Sequence, residues 1–293
     1  MADHEEKALH YLAEAQKKLK KSKRSFLLFS SIFGGGRSKQ EEACGLYVRA
    51  ANAFKVAKNW PQAGNAFEEA AQLQLALGNK KDAALHYLDA GTSYRKGNPN
   101  AAISAIHKAI EIYTDMGDFK IAANHHITLA EIYARKLSDI EKAIQNYEQA
   151  ADYFKGEDSY GSANSCLEKV AKYSAKLKNY EKAIEIYEQV ATSCTSKYST
   201  IDYYFRASVC HMCMDTVNAQ VAVKKYEEML PAFAGSSECK LVKKLLKAVE
   251  DANMEKFTKS LDFDSVFSFF AEPFLRTLLL RVQKQLSAEP DLC

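Results

Sequence analysis

A ladder with a step of about twenty residues runs through this chain, and it limits the possible folds more than any other feature. Ala43, Ala63, Ala83, Ala102, Ala122, Ala143, Ala163 and Ala183 are its rungs, 19 to 21 residues apart. Four residues after most rungs stands a large side chain: Tyr47, Phe67, Tyr87, Ile106, Tyr147, Leu167, Tyr187. Seven residues after comes a second small or β-branched group: Ala50, Ala70, Ala90, Ala109, Ala150, Val170, Val190. Positions i, i+4 and i+7 share one face of an α-helix. The small residues let a neighbouring helix approach, and the large one fills the groove between two helices.

Turn chemistry separates the units. Asn59, Asn79, Asn98, Asp118, Asp139, Ser159 and Asn179 stand four residues before their rungs. The Asn and Asp side chains among them are expected to accept the free N–H groups of a helix start. Pro61 and Pro99 fall where a missing N–H costs nothing. Gly78, Gly97 and Gly117 are expected to supply the left-handed residue that stops the preceding helix. A unit less its turn leaves a helix of roughly four turns.

The expected fold is therefore all-α: a right-handed α-solenoid of tetratricopeptide-like antiparallel helix hairpins, with a C-terminal helical bundle. The expected division is residues 1–235 for the repeat sheet and 236–293 for the bundle and acidic tail. Within the first part, Glu5 to Leu19 reads as a lone amphipathic helix and Ser25 to Arg37 as a loop. The ladder blurs after Val190, although Tyr203, Ala207 and Cys210, then Ala222, Tyr226 and Leu230, continue it. Ser287 to Cys293 reads as a loose tail.

Composition agrees with a helical, core-forming chain: 47% hydrophobic, 26% charged, and only 5 prolines in 293 residues. The net charge of +3 is too small to argue for nucleic acid. Seven scattered cysteines, an odd number with no signal peptide, point to a reducing cytosol. No apolar run has the length of a membrane span.

Motifs that would carry chemistry are weak. Cys210 and Cys213 lie three apart on one helix face, but a structural zinc site needs four ligands and no second close pair exists. They read as core thiols. His125 and His126 are adjacent, so they point in different directions and read as packing or surface residues. Gly34 to Lys39 lacks the spacing of a phosphate loop. No catalytic triad or paired-acid cleft is evident. The expectation is a protein without enzymatic activity, metal, cofactor or small-molecule substrate.

The N-terminal segment is more specific. Lys17, Lys18, Lys20, Lys21, Lys23 and Arg24 fall within eight residues with no acid among them. The apolar run Phe26, Leu27, Leu28, Phe29, Ile32, Phe33 follows, interrupted by Ser30 and Ser31 and closed by Gly34 to Gly36. A basic run beside an apolar loop is the two-signal pattern of reversible membrane attachment. The alternative is a hydrophobic lid on the first helix pair. The tail, Glu289 to Cys293, is acidic with one leucine; its cysteine is last, so it is no prenylation signal. Such a tail reads as a disordered end or as a short peptide for a basic groove.

These segments together resemble the soluble NSF attachment proteins of the alpha/beta type. The resemblance is carried by Phe26 to Gly36, Glu41 to Cys44, Ala57 to Trp60, Ala63 to Phe67, Ile110 to Gly117, His125-His126, Ala130 to Tyr133, Asp139 to Ile144, Tyr147 to Glu157, Tyr187 to Val190, Lys224 to Glu228, Pro231 to Phe233 and Glu238 to Leu241. It implies an adaptor that coats the helical bundle of SNARE complexes and recruits the hexameric NSF ATPase to disassemble them, on the cytosolic face of membranes. It also implies that Phe26, Leu27, Leu28, Phe29, Ile32 and Phe33 touch the membrane. Lys96, Lys169, Lys197 and Tyr198 would meet the SNARE bundle, and Asp215, Glu250, Asp251, Asp291 and Leu292 the ATPase.

The departures from that pattern matter too. Asp118, Asn124, Ser165, Ile201 and Ser237 stand where the alpha type has cations, and Lys247 stands where it has an acid. Phe267 to Phe274 replaces a polar stretch. Weaker attachment to an acidic partner and altered ATPase coupling are the expectations. A helical-repeat scaffold for a different helical or peptide partner is the alternative.

Overall fold

A computed structural model describes residues 2–28, 35–261 and 272–288. Among these residues all regular structure is helical. The helices are α1 (Ala2–Leu28), α2 (Gly35–Val56), α3 (Trp60–Ala76), α4 (Lys80–Tyr94), α5 (Pro99–Asp115), α6 (Phe119–Ile132), α7 (Ile140–Gly156), α8 (Tyr160–Lys176), α9 (Tyr180–Ser193), α10 (Lys197–Met214), α11 (Thr216–Met229), α12 (Pro231–Gly235), α13 (Ser237–Glu250), α14 (Met254–Leu261) and α15 (Pro273–Ala288).

The ladder is the core of this all-α helical-repeat fold. Seven of the eight rung alanines are 0% exposed and Ala163 is 1% exposed. Tyr47, Phe67, Tyr87, Ile106, Tyr147, Leu167 and Tyr187, one turn on, are all buried. Removing each such side chain from water stabilises the fold by roughly 1.5–3 kcal/mol. The spacing works because an alanine has no bulk to hold the next helix away. Gly64 shows the same logic at its limit, since a Cβ there would lie 2.3 Å from the Tyr94 ring.

The chain forms two compact units, Met1–Ser159 and Tyr160–Cys293. In the first unit, α1 through α7 pack in chain order, each on the next. α1 is not a lone helix: Ala8 and Ala15 are fully buried, Leu12 and Leu19 join the core, and Glu5 accepts a hydrogen bond from Asn59 at 2.8 Å. It also runs on to Leu28, and α2 starts at Gly35, so both ends of the expected Ser25–Arg37 loop are helical.

In the second unit α9 packs between α8 and α10, and α11, α12 and α13 follow on α10. α15 returns to α10, α8 and α14. Its Arg281 donates to the Ala175 and Lys176 carbonyls at 2.8 and 2.9 Å and to the Tyr180 hydroxyl at 3.0 Å. A guanidinium thus bonds carbonyls at the end of α8, where that of Ala175 also accepts the Lys178 N–H at 3.1 Å. At the start of α15, Glu272 pairs with Lys172 of α8 and with Arg206 of α10, the latter at 2.7 Å.

The turn residues divide. Asn59, Asn98, Asp139 and Asn179 accept from the N–H three residues on, at 3.0 to 3.4 Å. Asn79 and Asp118 do not. The Asn79 amide donates to Gln74 at 2.8 Å instead, a contact within reach because the preceding helix ends beside it. Gly78 and Gly117 take φ of +83° and +78°, as expected. Gly97 does not; the left-handed residues at other turns are Lys58, Ser138, Asp158, Lys178 and Ala252. Helix stops here are set by the chain's return path, and a residue with a Cβ accepts the strain when packing demands it.

Candidate functional site

The candidate cations lie on exposed turns and helix faces. In the first unit, Lys96 follows α4, and its Nζ stands 3.9 Å above the Trp60 ring at the start of α3. Trp60 is followed by Pro61, which fixes the first turn of α3 and with it the ring. The turn after α2 and the turn after α4 therefore share a cation–aromatic contact. Arg95 and Lys58 are exposed on these same turns. The next such turn, after α6, is a π-helical segment, Tyr133–Leu137, which exposes Arg135 and Lys136. Neither belongs to a recognisable motif; the only sequence signal is two adjacent cations before Ser138-Asp139.

In the second unit, Lys169 is exposed on α8, beside Glu168, which accepts from Tyr203 of α10 at 3.4 Å. Lys197 and Tyr198 open α10, whose cap Ser196 accepts from the Ser199 N–H. Tyr198 is 87% exposed. The α8 residue Asn164 donates to Ser193 at the end of α9 at 3.1 Å.

Two of the candidate positions without a cation are turned onto their own helices. Asn124 donates to the Lys120 carbonyl at 2.9 Å and Ser165 to the Gly161 carbonyl at 3.0 Å. Ile201 is half-buried, and Ser237 donates to Glu238 at 2.9 Å.

The candidate acids sit in the second unit. Asp215 caps α11, accepting from the Val217 and Asn218 N–H groups at 3.0 and 3.4 Å. Gln285 of α15 donates to the Cys213 carbonyl at 3.1 Å, which brings the last helix to within two residues of Asp215. Met214, Val217 and Val221 are exposed beside it. Glu250 and Asp251 end α13, and Lys247 pairs with both, at 3.2 and 3.1 Å. Lys256 pairs with Asp251 as well, and these lysines hold that carboxyl below its usual range. Lys247 thus stands paired with both of the acids next to it.

Phe26, Leu27 and Leu28 fall on the last turn of α1; Phe29, Ile32 and Phe33 lie outside the described residues. Asp291, Leu292 and most of the Phe267–Phe274 stretch lie outside them too.

The groups that resembled chemical motifs are packed. Burial pushes the Cys213 thiol up to about 11 and Cys210 further, and Cys213 donates to the Leu278 carbonyl. A thiol raised this far is a poor nucleophile. His125 stacks on Tyr113 at 5.8 Å, and His126 meets Tyr153 edge-on at 5.6 Å. Among the described residues no group of His, Cys, Asp and Glu has the arrangement of a metal site.

Fold and surface together define a class: an all-α helical-repeat protein whose distinctive residues are charges and aromatics on turns and outer faces. The family described as "Soluble NSF attachment protein, SNAP" matches residues 6–287. The chain belongs to this family. It is 54% identical to the human alpha-soluble NSF attachment protein over 98% of this chain and 97% of that protein. It is 51% identical to the beta-soluble NSF attachment protein of Bos taurus, over 99% and 97%. Identity to the alpha-soluble NSF attachment protein of Vitis vinifera is 34%, again over 99% and 97%.

Proposed function

We propose that this chain is a non-enzymatic adaptor that binds SNARE complexes at membranes and recruits and stimulates the NSF ATPase for their disassembly in vesicle fusion and trafficking. The observation that carries the reading is the match along nearly its whole length to proteins whose name states attachment to NSF.

Lys96, Lys169, Lys197 and Tyr198 are the proposed SNARE contacts, as exposed cations and an exposed aromatic on turns and helix faces. Asp215, Glu250 and Asp251, with Asp291 and Leu292 of the tail, are the proposed ATPase contacts. The bond from Gln285 to the Cys213 carbonyl supports grouping the end of α15 with Asp215. The apolar run Phe26 to Phe33 is the proposed membrane contact. The proposed place of action is the cytosolic face of membranes; no described helix is long and apolar enough to cross one.

Disassembly of a purified SNARE complex by NSF and ATP, with and without this chain, tests the reading. Acceleration is expected. Failure to accelerate, together with failure to hold NSF on the complex, overturns it.

A further inference from the structure

We propose that Arg135 and Lys136, together with Arg95 and Lys96, form a basic edge of the first unit that takes an acidic helix of the SNARE bundle. Arg135 and Lys136 are the new specificity-determining residues. The inference rests on the reading that this chain binds SNARE complexes.

α5 and α6 pack side by side across a short turn. Tyr113 near the end of α5 stacks on His125 near the start of α6, and His107 lies close enough to His126 to oppose its charge. The two helices therefore run antiparallel. The same register sets the turn before α5, which holds Arg95 and Lys96, beside the segment after α6, which holds Arg135 and Lys136. Packed helices lie about 8–10 Å apart, so one partner helix, about 10–12 Å wide, can meet both turns.

The π-helical turn decides what this edge presents. At about 100° per residue, an α-helix lying on a core turns one of four consecutive residues inward. Here the wider turn, closed by Ser138 at a φ of +55°, leaves Arg135, Lys136, Leu137 and Ser138 all exposed. Arg95 and Lys96 are exposed too, and among the described residues none of the four cations has an acidic partner. Of the acids close by in sequence, Asp89 faces His86 at 3.9 Å and Asp139 pairs with Lys142 at 3.2 Å. That leaves Glu131 and Glu141 against four cations. Trp60 under Lys96, with the exposed Leu137, adds apolar contact to the charge. An acidic amphipathic helix fits this mixture. A lipid surface is disfavoured by position. The edge lies at the end of α2 remote from Gly35, about 30 Å away along a helix of 22 residues, while the apolar run precedes Gly35.

The test is the affinity of the full chain for a purified, soluble SNARE complex over a salt series, with no membrane present. The R135Q/K136Q variant should bind about two- to ten-fold more weakly at low salt. The difference should shrink as salt rises, because exposed charges are screened. The charge-conserving R135K/K136R variant should bind like the wild type. So should K80Q/K81Q, which removes two exposed lysines from the opposite end of α4 and matches the change in net charge. All three variants should keep the wild-type melting temperature. Unchanged affinity in R135Q/K136Q overturns the proposal. So does a loss that is equal at every salt concentration, or an equal loss in K80Q/K81Q, which would reduce the effect to net charge. A wild-type chain that binds no SNARE complex overturns the adaptor reading itself, and this proposal with it.

Discussion

Lys96 Nζ stands 3.9 Å above the centre of the Trp60 ring, close enough for the ring to hold the ammonium in one place on the edge of the first unit. The chain has one tryptophan, and it serves this lysine.

Trp60→Ala should therefore weaken binding to an acidic helical bundle by roughly two- to five-fold. Trp60→Phe should restore most of it. The loss should be largest at low salt and vanish at high salt, measured as the affinity for a purified SNARE complex. An affinity that drops equally at all salt concentrations would mean that Trp60 acts only through the fold.

Lys247 pairs with Glu250 and Asp251, two of the proposed ATPase contacts. Lys247→Ala should free Glu250, leave Asp251 paired with Lys256 alone, and speed association with a cationic partner several-fold at low salt. Surface plasmon resonance against NSF reads this directly. An unchanged association rate would remove these two acids from the interface.

Two glycines separate two kinds of strain. A Cβ on Gly64 would meet the Tyr94 ring, which is pinned by hydrogen bonds to Asn65 at 2.6 Å and Glu68 at 2.9 Å. Gly64→Ala should cost about 1–3 kcal/mol. Gly117 has open space around it but a φ of +78°. Gly117→Ala should cost about 1 kcal/mol through backbone strain alone. Thermal melts of both variants check the order.

Burial lowers the pKa of His107, His125, His126 and His211 below the usual imidazole value. Below about pH 6.5 the unfolded chain takes protons that the folded chain refuses, so stability falls as pH drops towards the folded values. His86, 3.9 Å from Asp89 and raised to about 9, changes its contribution only above pH ~6.5, outside that window. The melting temperature should decline between about pH 6.5 and 5. Replacing His125 and His126 with Gln should flatten the decline. A melting temperature constant over that range would contradict it.

The repeat was legible because it is a packing rule: a small residue, a large one a turn later, and a small one after that must coincide for helices to stack. Caps were half legible. Asn59 and Asn79 look alike in sequence, but Asn79 has Gln74 within reach and turns to it. The left-handed stops were less so, because Lys58 and Lys178 adopt a conformation that their type disfavours and that only the surrounding helices impose. Lys247 and Asp251 are four apart on one helix, a pairing that the sequence contains outright. Glu272 and Lys172 are 100 residues apart, and nothing local announces them. On the surface, residue type marked the candidate cations but not which of them are free; Lys18 pairs with Glu42, while its neighbour Lys17 has no acidic partner among the described residues.

Glu272 joins Lys172 of α8 and Arg206 of α10, and Arg281 two turns later grips the end of α8. The last helix is thus riveted sideways to the repeat at both of its flanks, not merely strung after it. A tug applied near the end of the chain travels into α8 through these side chains, and α8 also carries Lys169. Force at one end of the unit is felt, by mechanics alone, at a residue proposed to grip the cargo.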